Sequence, residues 1–275
     1  MGGAASGPYR GGVQFAKGHG TGNDFVVLPD PDGTLALTPE RVRALCDRHQ
    51  GIGGDGVLRI VREEDAGSPR QTPSKGGGMW FMDYRNADGS VAEMCGNGVR
   101  VYARWLVDHG WAQPGPLLLA TRAGTKAVQV PETGDITVDM GPPKVGEPPL
   151  SVTLGGTTYD ATPVDMGNPH AVLAVPSVDA VVWDGVRADV NVEVVERVGP
   201  RHLKMRVHER GVGETQSCGT GACAAVVAAA AWGHEEAPVR YDLDVPGGRL
   251  VITWTGDTVL LAGPAVIVAE GETSL

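Results

Sequence analysis

Two cysteines stand at matching places in the chain, each at the start of a glycine-rich turn followed by an apolar segment. Cys95 opens Cys-Gly-Asn-Gly, and Cys218 opens Cys-Gly-Thr-Gly. A side chain just before a helix faces unpaired backbone N–H groups and the positive end of the helix dipole, which together favour a thiolate. We therefore expect two acidic thiols, each able to accept or donate a proton near neutral pH.

The segments that carry the two cysteines repeat each other. Nine residues before its cysteine, each segment has a polar side chain, Asn86 in the first copy and Glu209 in the second. Farther upstream, the Gly-Asn pair that ends at Asn23 has a counterpart that ends at Asn168. Agreement in order, spacing and cysteine placement predicts a duplicated chain.

A strand before each turn and a helix after it must position the cysteines. The residues at 203, 205 and 207 are apolar and alternate with polar ones, which is typical of a half-buried strand. Ala222–Trp232 is apolar on every side, which predicts a helix buried all round and ended by Gly233. Thr38–Gln50 carries a helix N-cap and a proline at the first position, and a further helix is predicted near Val178–Val186.

These patterns predict an α+β fold of two pseudo-symmetric halves. Each half is expected to be a mixed, strand-rich sheet or barrel wrapped on helices, with the active site in the cleft between the halves. Residues 1–12 are expected to be a disordered leader, 13–145 the N-terminal half and 146–264 the C-terminal half. The boundary follows the prolines of residues 141–149, which break helix and strand alike. The C-terminal strand, 265–275, is expected to join the N-terminal half.

Composition excludes several classes of function. The net charge of −10, without a run of basic residues, argues against a nucleic-acid or anionic-membrane partner. The sequence shows neither a transmembrane segment nor a secretory signal, so we expect a cytoplasmic protein, for which a homodimer is one compatible assembly. The four cysteines fit neither a disulfide framework nor a CxxC zinc pair, and Cys46 and Cys223 are interpreted as core residues.

Paired cysteines suit one kind of chemistry in particular. Two related halves would bring Cys95 and Cys218 to opposite sides of one cleft, where they could transfer protons on both faces of a carbon. Removal of an amino acid's α-proton leaves a carbanion, whose charge two helix N-termini could stabilise. Because the sequence shows neither a Schiff-base lysine for pyridoxal phosphate nor a metal cluster, it favours racemisation or epimerisation without cofactor or metal.

At these residues the chain resembles the diaminopimelate epimerases, over nearly its whole length from Gln14. The resemblance is carried by KGHGTGNDFVVL, YRNADGSVAEMCGNGVRVYARW, MGNPHAV, NVEV and HERGVGETQSCGTGACAA. It implies two similar α/β halves and interconversion of LL- and meso-diaminopimelate, a step in lysine and peptidoglycan-precursor biosynthesis. It also implies Cys95 and Cys218 as the acid–base pair, with no cofactor.

The resemblance assigns further residues to the site. The side chains that would line the substrate cleft are Asn23, Asn86, Asn168, Asn191, Glu209 and Arg210. The helix-start donors that would hold the reacting carboxylate are Gly96, Asn97, Gly219 and Thr220. His170 and Glu209 would support the cysteines as acid–base partners. Gly56 stands where many members of the family have glutamine, which puts a substrate contact there in doubt.

Three other functions remain open at this point. A proline racemase-type enzyme would share the paired cysteines, but that family typically has histidine where this chain has Asn97. A redox protein would cycle a Cys95–Cys218 disulfide. An amino-acid-binding module would bind its ligand without exchanging the α-hydrogen.

Overall fold

A computed structural model describes residues 12–67, 78–186 and 189–274, so nearly all of the predicted leader lies outside it. The elements of its first part are β1 (Val13–Gly20), β2 (Asn23–Pro29), α1 (Pro39–Cys46), β3 (Gly56–Arg62), β4 (Trp80–Asn86), α2 (Gly96–Asp108), β5 (Gly115–Thr121), β6 (Gly124–Val130) and β7 (Ile136–Gly141). Those that follow are β8 (Lys144–Val145), β9 (Leu150–Leu154), β10 (Thr157–Asp165), β11 (Pro169–Ala174), β12 (Asn191–Gly199), β13 (His202–Glu209), β14 (Gly213–Thr215), α3 (Gly219–Trp232), β15 (Val239–Val245), β16 (Gly248–Trp254), β17 (Val259–Gly263) and β18 (Val266–Thr273).

The two halves repeat one strand order, as the duplication predicts. β2 pairs in parallel with β3, and β11 pairs in parallel with β12. The next strand is antiparallel in both halves. A crossover through a cysteine-capped helix then leads to a parallel partner, from β4 through α2 to β5 and from β13 through α3 to β15. A helical crossover is what a parallel pair of strands requires.

The halves are joined by strand pairing as well as by packing. β7 of the first half pairs with β17 of the second, and the final strand β18 returns to pair with β1. One hydrophobic core contains the inner faces of both α2 and α3. Because α3 consists almost entirely of small apolar residues, strands can close around it on every side, as its sequence predicts.

Two helices differ from their predictions. α1 begins after its N-cap Thr38, as expected, but ends at Cys46, because the Asp47 carboxylate accepts backbone N–H bonds from His49 and Gln50 and holds a turn. In place of a helix near 178–186 there is only a 3-10 turn over Val178–Ala180.

The guanidinium of Arg206 holds the short turn that replaces the predicted helix. Its Nη1 donates to the carbonyls of Val178 and Val181, at 2.7 and 3.0 Å. The Val178 carbonyl also accepts the backbone N–H of Val181 at 3.2 Å, which closes a single 3-10 turn. No helix in the described part of the chain is long and apolar enough to cross a membrane.

Candidate active site

The two cysteines occupy equivalent structural positions. Cys95 is the N-cap of α2 and Cys218 is the N-cap of α3, both with extended backbone before the first helical turn. Cys218 Sγ accepts the backbone N–H of Gly221 at 3.4 Å and lies 3.5 Å from the Thr220 hydroxyl. Cys95 makes no such cap bond, but the backbone N–H groups of Gly98 and Asn97 act to lower the pKa of its thiol. Each sulfur is therefore held against unpaired helix-start donors.

The two helix starts face each other across the junction of the halves. A side-chain carbon built on Gly219 would lie 3.4 Å from the Gly96 Cα and 3.6 Å from its nitrogen. The amide Nδ2 of the buried Asn97 donates to the carbonyl of Ser217, the residue before Cys218, at 3.2 Å. The structure thus brings together the two cysteine turns that the sequence places more than a hundred residues apart.

Asn23 is fixed in one orientation beside Cys95. Its Nδ2 donates to the Asp55 carboxylate at 2.8 Å, so Oδ1 points to the other side. That oxygen lies 3.5 Å from Cys95 Sγ and accepts a bond from Asn97 Nδ2 at 3.3 Å. Arg48 bridges Asp55 and Asp24, which holds the carboxylate in place.

His170 has a buried partner, Glu193, whose role the sequence did not predict. Its Nδ1 is 2.7 Å from Oε1 of Glu193, and its Nε2 is 3.1 Å from Oδ1 of Asn168. Glu193 is fully buried, and a side-chain carbon on Gly221 would overlap its Oε1. The glycine after Gly219-Thr220 is therefore required by the Glu193 carboxylate that packs against it.

Glu209 acts on both cysteines. Its charge contributes to raising the pKa of Cys95 and of Cys218, so its carboxylate lies within electrostatic reach of both. Oε1 accepts a bond from the Thr215 hydroxyl at 2.6 Å, which fixes the side chain. A single carboxylate therefore affects both thiols.

The remaining predicted residues lie at the strand ends around the turns. Asn191 Oδ1 accepts the backbone N–H of Arg210 at 3.0 Å, and the exposed Arg210 guanidinium donates to the Asp189 carbonyl at 3.1 Å. The Asn86 amide donates to the Ser90 hydroxyl at 3.0 Å within a local turn. Asn86 and Asn191 thus have partners within the chain, in addition to any contact with a ligand.

Position 56 has no room for a side chain. A side-chain carbon on Gly56 would lie 2.5 Å from the Arg85 carbonyl oxygen and 2.8 Å from the Tyr84 ring. The Tyr84 ring packs edge-on against Phe25 and is buried. The glycine is therefore a packing requirement, and no glutamine would fit there in this conformation.

The expectation of acidic thiols is wrong for this structure. Burial raises the pKa of the Cys95 thiol to about 11, and the N–H groups of Gly98 and Asn97 oppose it only in part. Burial also raises the pKa of Cys218 well above its usual range, and the charges of Glu209 and Glu193 add to it. Desolvation of the anion outweighs the helix-start donors, because they only partly replace the lost water.

Within the ranges that the structure describes, no three His, Cys, Asp or Glu side chains gather as a metal site would require. Cys46 and Cys223 lie in the core, as interpreted from the sequence, and burial raises the pKa of both thiols. All four cysteines are free thiols.

Solved structures share this fold. A PhzF-family phenazine biosynthesis protein from Bacillus anthracis matches with a TM-score of 0.73 at 16% identity, over 96% of this chain and 99% of that one. A hydroxyproline epimerase from Agrobacterium vitis matches with a TM-score of 0.67 at 14% identity, over 98% and 92%. These similarities establish the fold that the chain shares with both proteins.

Sequence comparison is more specific. The diaminopimelate epimerase family profile matches residues 15–146 and 162–272. A diaminopimelate epimerase from Streptomyces coelicolor is 51% identical over 94% of this chain and 95% of its own length. One from Thermobifida fusca is 46% identical over 96% and 98%. The chain belongs to the diaminopimelate epimerase family.

Proposed function

We propose that this protein interconverts LL- and meso-diaminopimelate by proton transfer at one α-carbon. The observation that carries the proposal is the meeting of two cysteine-capped helix starts at Gly96 and Gly219. A carbon held at this junction would have one sulfur on each face. One cysteine, as thiolate, takes the α-hydrogen while the other, as thiol, delivers its own hydrogen to the opposite face.

The reacting carboxylate is assigned to the helix starts. Gly96 and Asn97 on one side, and Gly219 and Thr220 on the other, present N–H groups and the positive ends of two helix dipoles. Loss of the α-proton moves negative charge onto that carboxylate. Fixed donors in a site without bulk water stabilise such charge better than water does, because they need no reorganisation.

Thiolate formation is assigned to the bound state. With the pKa of Cys95 raised to about 11, the empty site holds both sulfurs as neutral thiols at neutral pH. Diaminopimelate brings an α-ammonium group into the site, and a positive charge close to a thiol lowers its pKa. Glu209, whose charge acts on both thiols, is the group assigned to take the proton from one of them.

His170 is assigned a supporting role on the Cys218 side. Its hydrogen bond to Glu193, which packs against Gly221 three residues after Cys218, fixes the ring. Asn168 occupies the other ring nitrogen. A ring whose two nitrogens are both hydrogen-bonded is suited to keeping the neighbouring side chains of the Cys218 turn in place.

The distal end of the substrate is assigned to the strand ends. Arg210 presents a planar fork that matches the second carboxylate, and Asn191 holds its backbone. The side-chain amides of Asn23, Asn86 and Asn168 are assigned to the polar lining of the cleft. Because diaminopimelate has an amino-acid group at each end, such a lining distinguishes it from proline, which has only one.

The cellular role follows from the substrate. The reaction supplies meso-diaminopimelate for lysine and peptidoglycan-precursor biosynthesis, and we propose that it takes place in the cytoplasm, with no nucleic-acid or membrane partner. A homodimer stays a prediction, which sedimentation at several protein concentrations tests.

A direct test is to incubate the reduced protein with LL-diaminopimelate and to separate the stereoisomers by chiral chromatography. Conversion of the LL form into a mixture of the LL and meso stereoisomers supports the proposal. L-Proline and trans-4-hydroxy-L-proline, offered in parallel, should remain unchanged. Epimerisation of either, with none of diaminopimelate, would favour the proline racemase-type alternative. Binding of diaminopimelate without conversion would instead favour a binding module.

A further inference from the structure

Arg100 is a fully buried cation without an acidic partner. It lies in α2, five residues after Cys95, and none of its atoms is exposed. Nε donates to the Pro264 carbonyl and Nη2 to the Thr21 hydroxyl, both at 3.3 Å. Nη1 is buried and has no hydrogen-bond partner among the described residues. No carboxylate in the described ranges forms an ion pair with it.

The other deeply buried arginine of the same half provides a contrast. Arg59 lies 2.6 Å from the Asp30 carboxylate and 3.6 Å from that of Asp83. Buried charges in proteins are ordinarily paired in this way, because desolvation of a lone charge is costly. Burial lowers the pKa of Arg100 only to about 10, so it remains a cation at neutral pH. A buried cation without a permanent partner indicates that its charge is compensated by an anion that forms in the active site.

The surroundings of Arg100 are shaped to hold a guanidinium. A side-chain carbon on Gly20 would lie 2.9 Å from Nη2, and one on Gly263 would lie 3.4 Å from Cζ. The absence of side chains at these glycines leaves the space that the guanidinium occupies. Three segments therefore converge on Arg100: its own helix, the turn after β1 and the connection between β17 and β18.

Arg100 is linked to both cysteine turns. It lies one helical turn and a residue beyond Cys95, and the negative charge of a Cys95 thiolate is the largest favourable interaction open to it. The Arg100 charge in turn lowers the pKa of Cys95, against burial and the charge of Glu209 and together with the N–H groups of Gly98 and Asn97, which act more strongly. The Thr21 hydroxyl, which accepts from Nη2, donates in turn to the Ser217 hydroxyl at 2.9 Å. Ser217 immediately precedes Cys218. Two other groups raise the pKa of Arg100 through their charge: Asp135, which is exposed, and Cys223, which is a core thiol.

We propose that Arg100 is the counter-charge of the active site, a positioning residue whose buried cation stabilises the anions that form at the two helix starts. These anions are the Cys95 thiolate and, during turnover, the charge on the reacting carboxylate. Arg100 neither gives nor takes a proton and does not touch the substrate. The second part of the proposal rests on the proposed function, whereas the first concerns the free enzyme.

Alkylation tests the first part without any substrate. Iodoacetamide reacts with thiolates, and the labelled peptides of Cys95 and Cys218 are quantified separately by mass spectrometry at pH 8. Arg100→Gln should slow alkylation of Cys95 by about tenfold or more, since the thiolate fraction falls. Arg104→Gln, one turn further along the same helix and paired with Asp108, should leave the rate within about twofold of the unmodified protein.

Turnover tests the second part. Arg100→Gln should lower kcat for diaminopimelate by about tenfold or more with little change in KM, because the charge acts on the transition state. Thr21→Val removes the bonds to Nη2 and to the Ser217 hydroxyl but keeps the cation, so it should lower the alkylation rate and kcat by clearly less than Arg100→Gln does. If the protein does not turn over diaminopimelate at all, the proposed function fails, while the alkylation rates still decide the role of the charge.

Two results would overturn the proposal. One is normal alkylation of Cys95 in folded Arg100→Gln, with folding checked by circular dichroism. The other is a loss in Thr21→Val as large as that in Arg100→Gln, which would mean that the bonds matter and the charge does not. Should Arg100→Gln fail to fold, Arg100→Lys at pH 7 decides: alkylation within about threefold of normal supports a role for charge, and a loss of tenfold opposes it.

Discussion

Gly96 and Gly219 are in contact across the junction of the two halves, with no side chain between them. A side-chain carbon on Gly219 would lie 3.4 Å from the Gly96 Cα and 3.5 Å from Leu261 Cδ1. These are ordinary van der Waals separations, so the fold itself leaves room for a methyl group on Gly219.

Gly219→Ala should therefore lower kcat/KM while the protein stays folded. A methyl group at this point displaces the reacting carboxylate, and a displacement of about 1 Å at a reacting centre can cost about 100-fold in rate. Gly199→Ala, at the last residue of β12, meets a neighbour at a similar 3.6 Å and serves as the matched control. Equal activity of the two variants, measured beside their thermal unfolding, would place the substrate elsewhere.

Gly221→Ala should destabilise the protein and disturb His170. The added methyl overlaps Oε1 of Glu193 and lies 3.1 Å from its Cδ, so the carboxylate must move from the ring that it bonds. Overpacking of this kind costs about 1–3 kcal/mol in the free energy of unfolding.

Gly98→Ala is the equivalent change in the first half and provides the comparison for Gly221→Ala. Its methyl meets the flexible Leu58 Cδ2 at 3.2 Å, so it should cost less than about 1 kcal/mol after the gain in helix propensity. Denaturant unfolding of both variants measures the difference. A smaller loss for Gly221→Ala than for Gly98→Ala would contradict the assigned packing.

The alkylation rate of Cys95 in the free enzyme should keep rising with pH to about 11. Burial raises the pKa of this thiol, so the thiolate fraction is low at neutral pH and increases tenfold per pH unit below the pKa. The thiolate fraction is measured by the rate of iodoacetamide labelling at each pH, in the absence of substrate. A plateau that begins near pH 7 would mean that the helix-start donors dominate over burial after all.

Arg210→Lys should raise KM for diaminopimelate by about tenfold, equivalent to about 1.4 kcal/mol of binding free energy. Lysine keeps the charge but loses the planar fork that suits a carboxylate. Arg249→Lys provides a control, since Arg249 is also exposed and pairs with Asp244. If both variants bind substrate as the unmodified protein does, Arg210 recognises nothing in the substrate.

The features of the fold that depend on neighbouring residues could be predicted from the sequence. Glycines after each cysteine, followed by an apolar run, define the start of α2 and α3, and the capping role of Thr38 follows from its residue type and the next proline. The repeated spacing of the two cysteine segments also predicts the repeated strand order. The helix starts are encoded by residues next to one another in the chain, and the strand order by the likeness of two segments of the same chain.

What the sequence did not predict depends on contacts between distant segments. Glu193 stands in Asn-Val-Glu-Val, where alternation suggests an exposed side chain, yet it is fully buried against Gly221. The roles of Thr21 and Ser217 require the two turns to meet, which no local pattern encodes. The thiol pKa values were mispredicted for a related reason, since the depth of burial is a property of the whole fold.

Deuterium uptake from heavy water tests the two-cysteine mechanism most directly. LL-diaminopimelate is turned over in heavy water to low conversion, and both isomers are recovered and analysed by mass spectrometry. The sulfur that protonates the product carries a solvent deuteron, whereas substrate that reverts regains its own hydrogen, because a thiol holds only one. The meso product should then carry one deuterium at one α-carbon while the remaining LL pool is nearly unlabelled. Early deuterium in the LL pool, equal to that in the product, would contradict proton transfer by two separate cysteines.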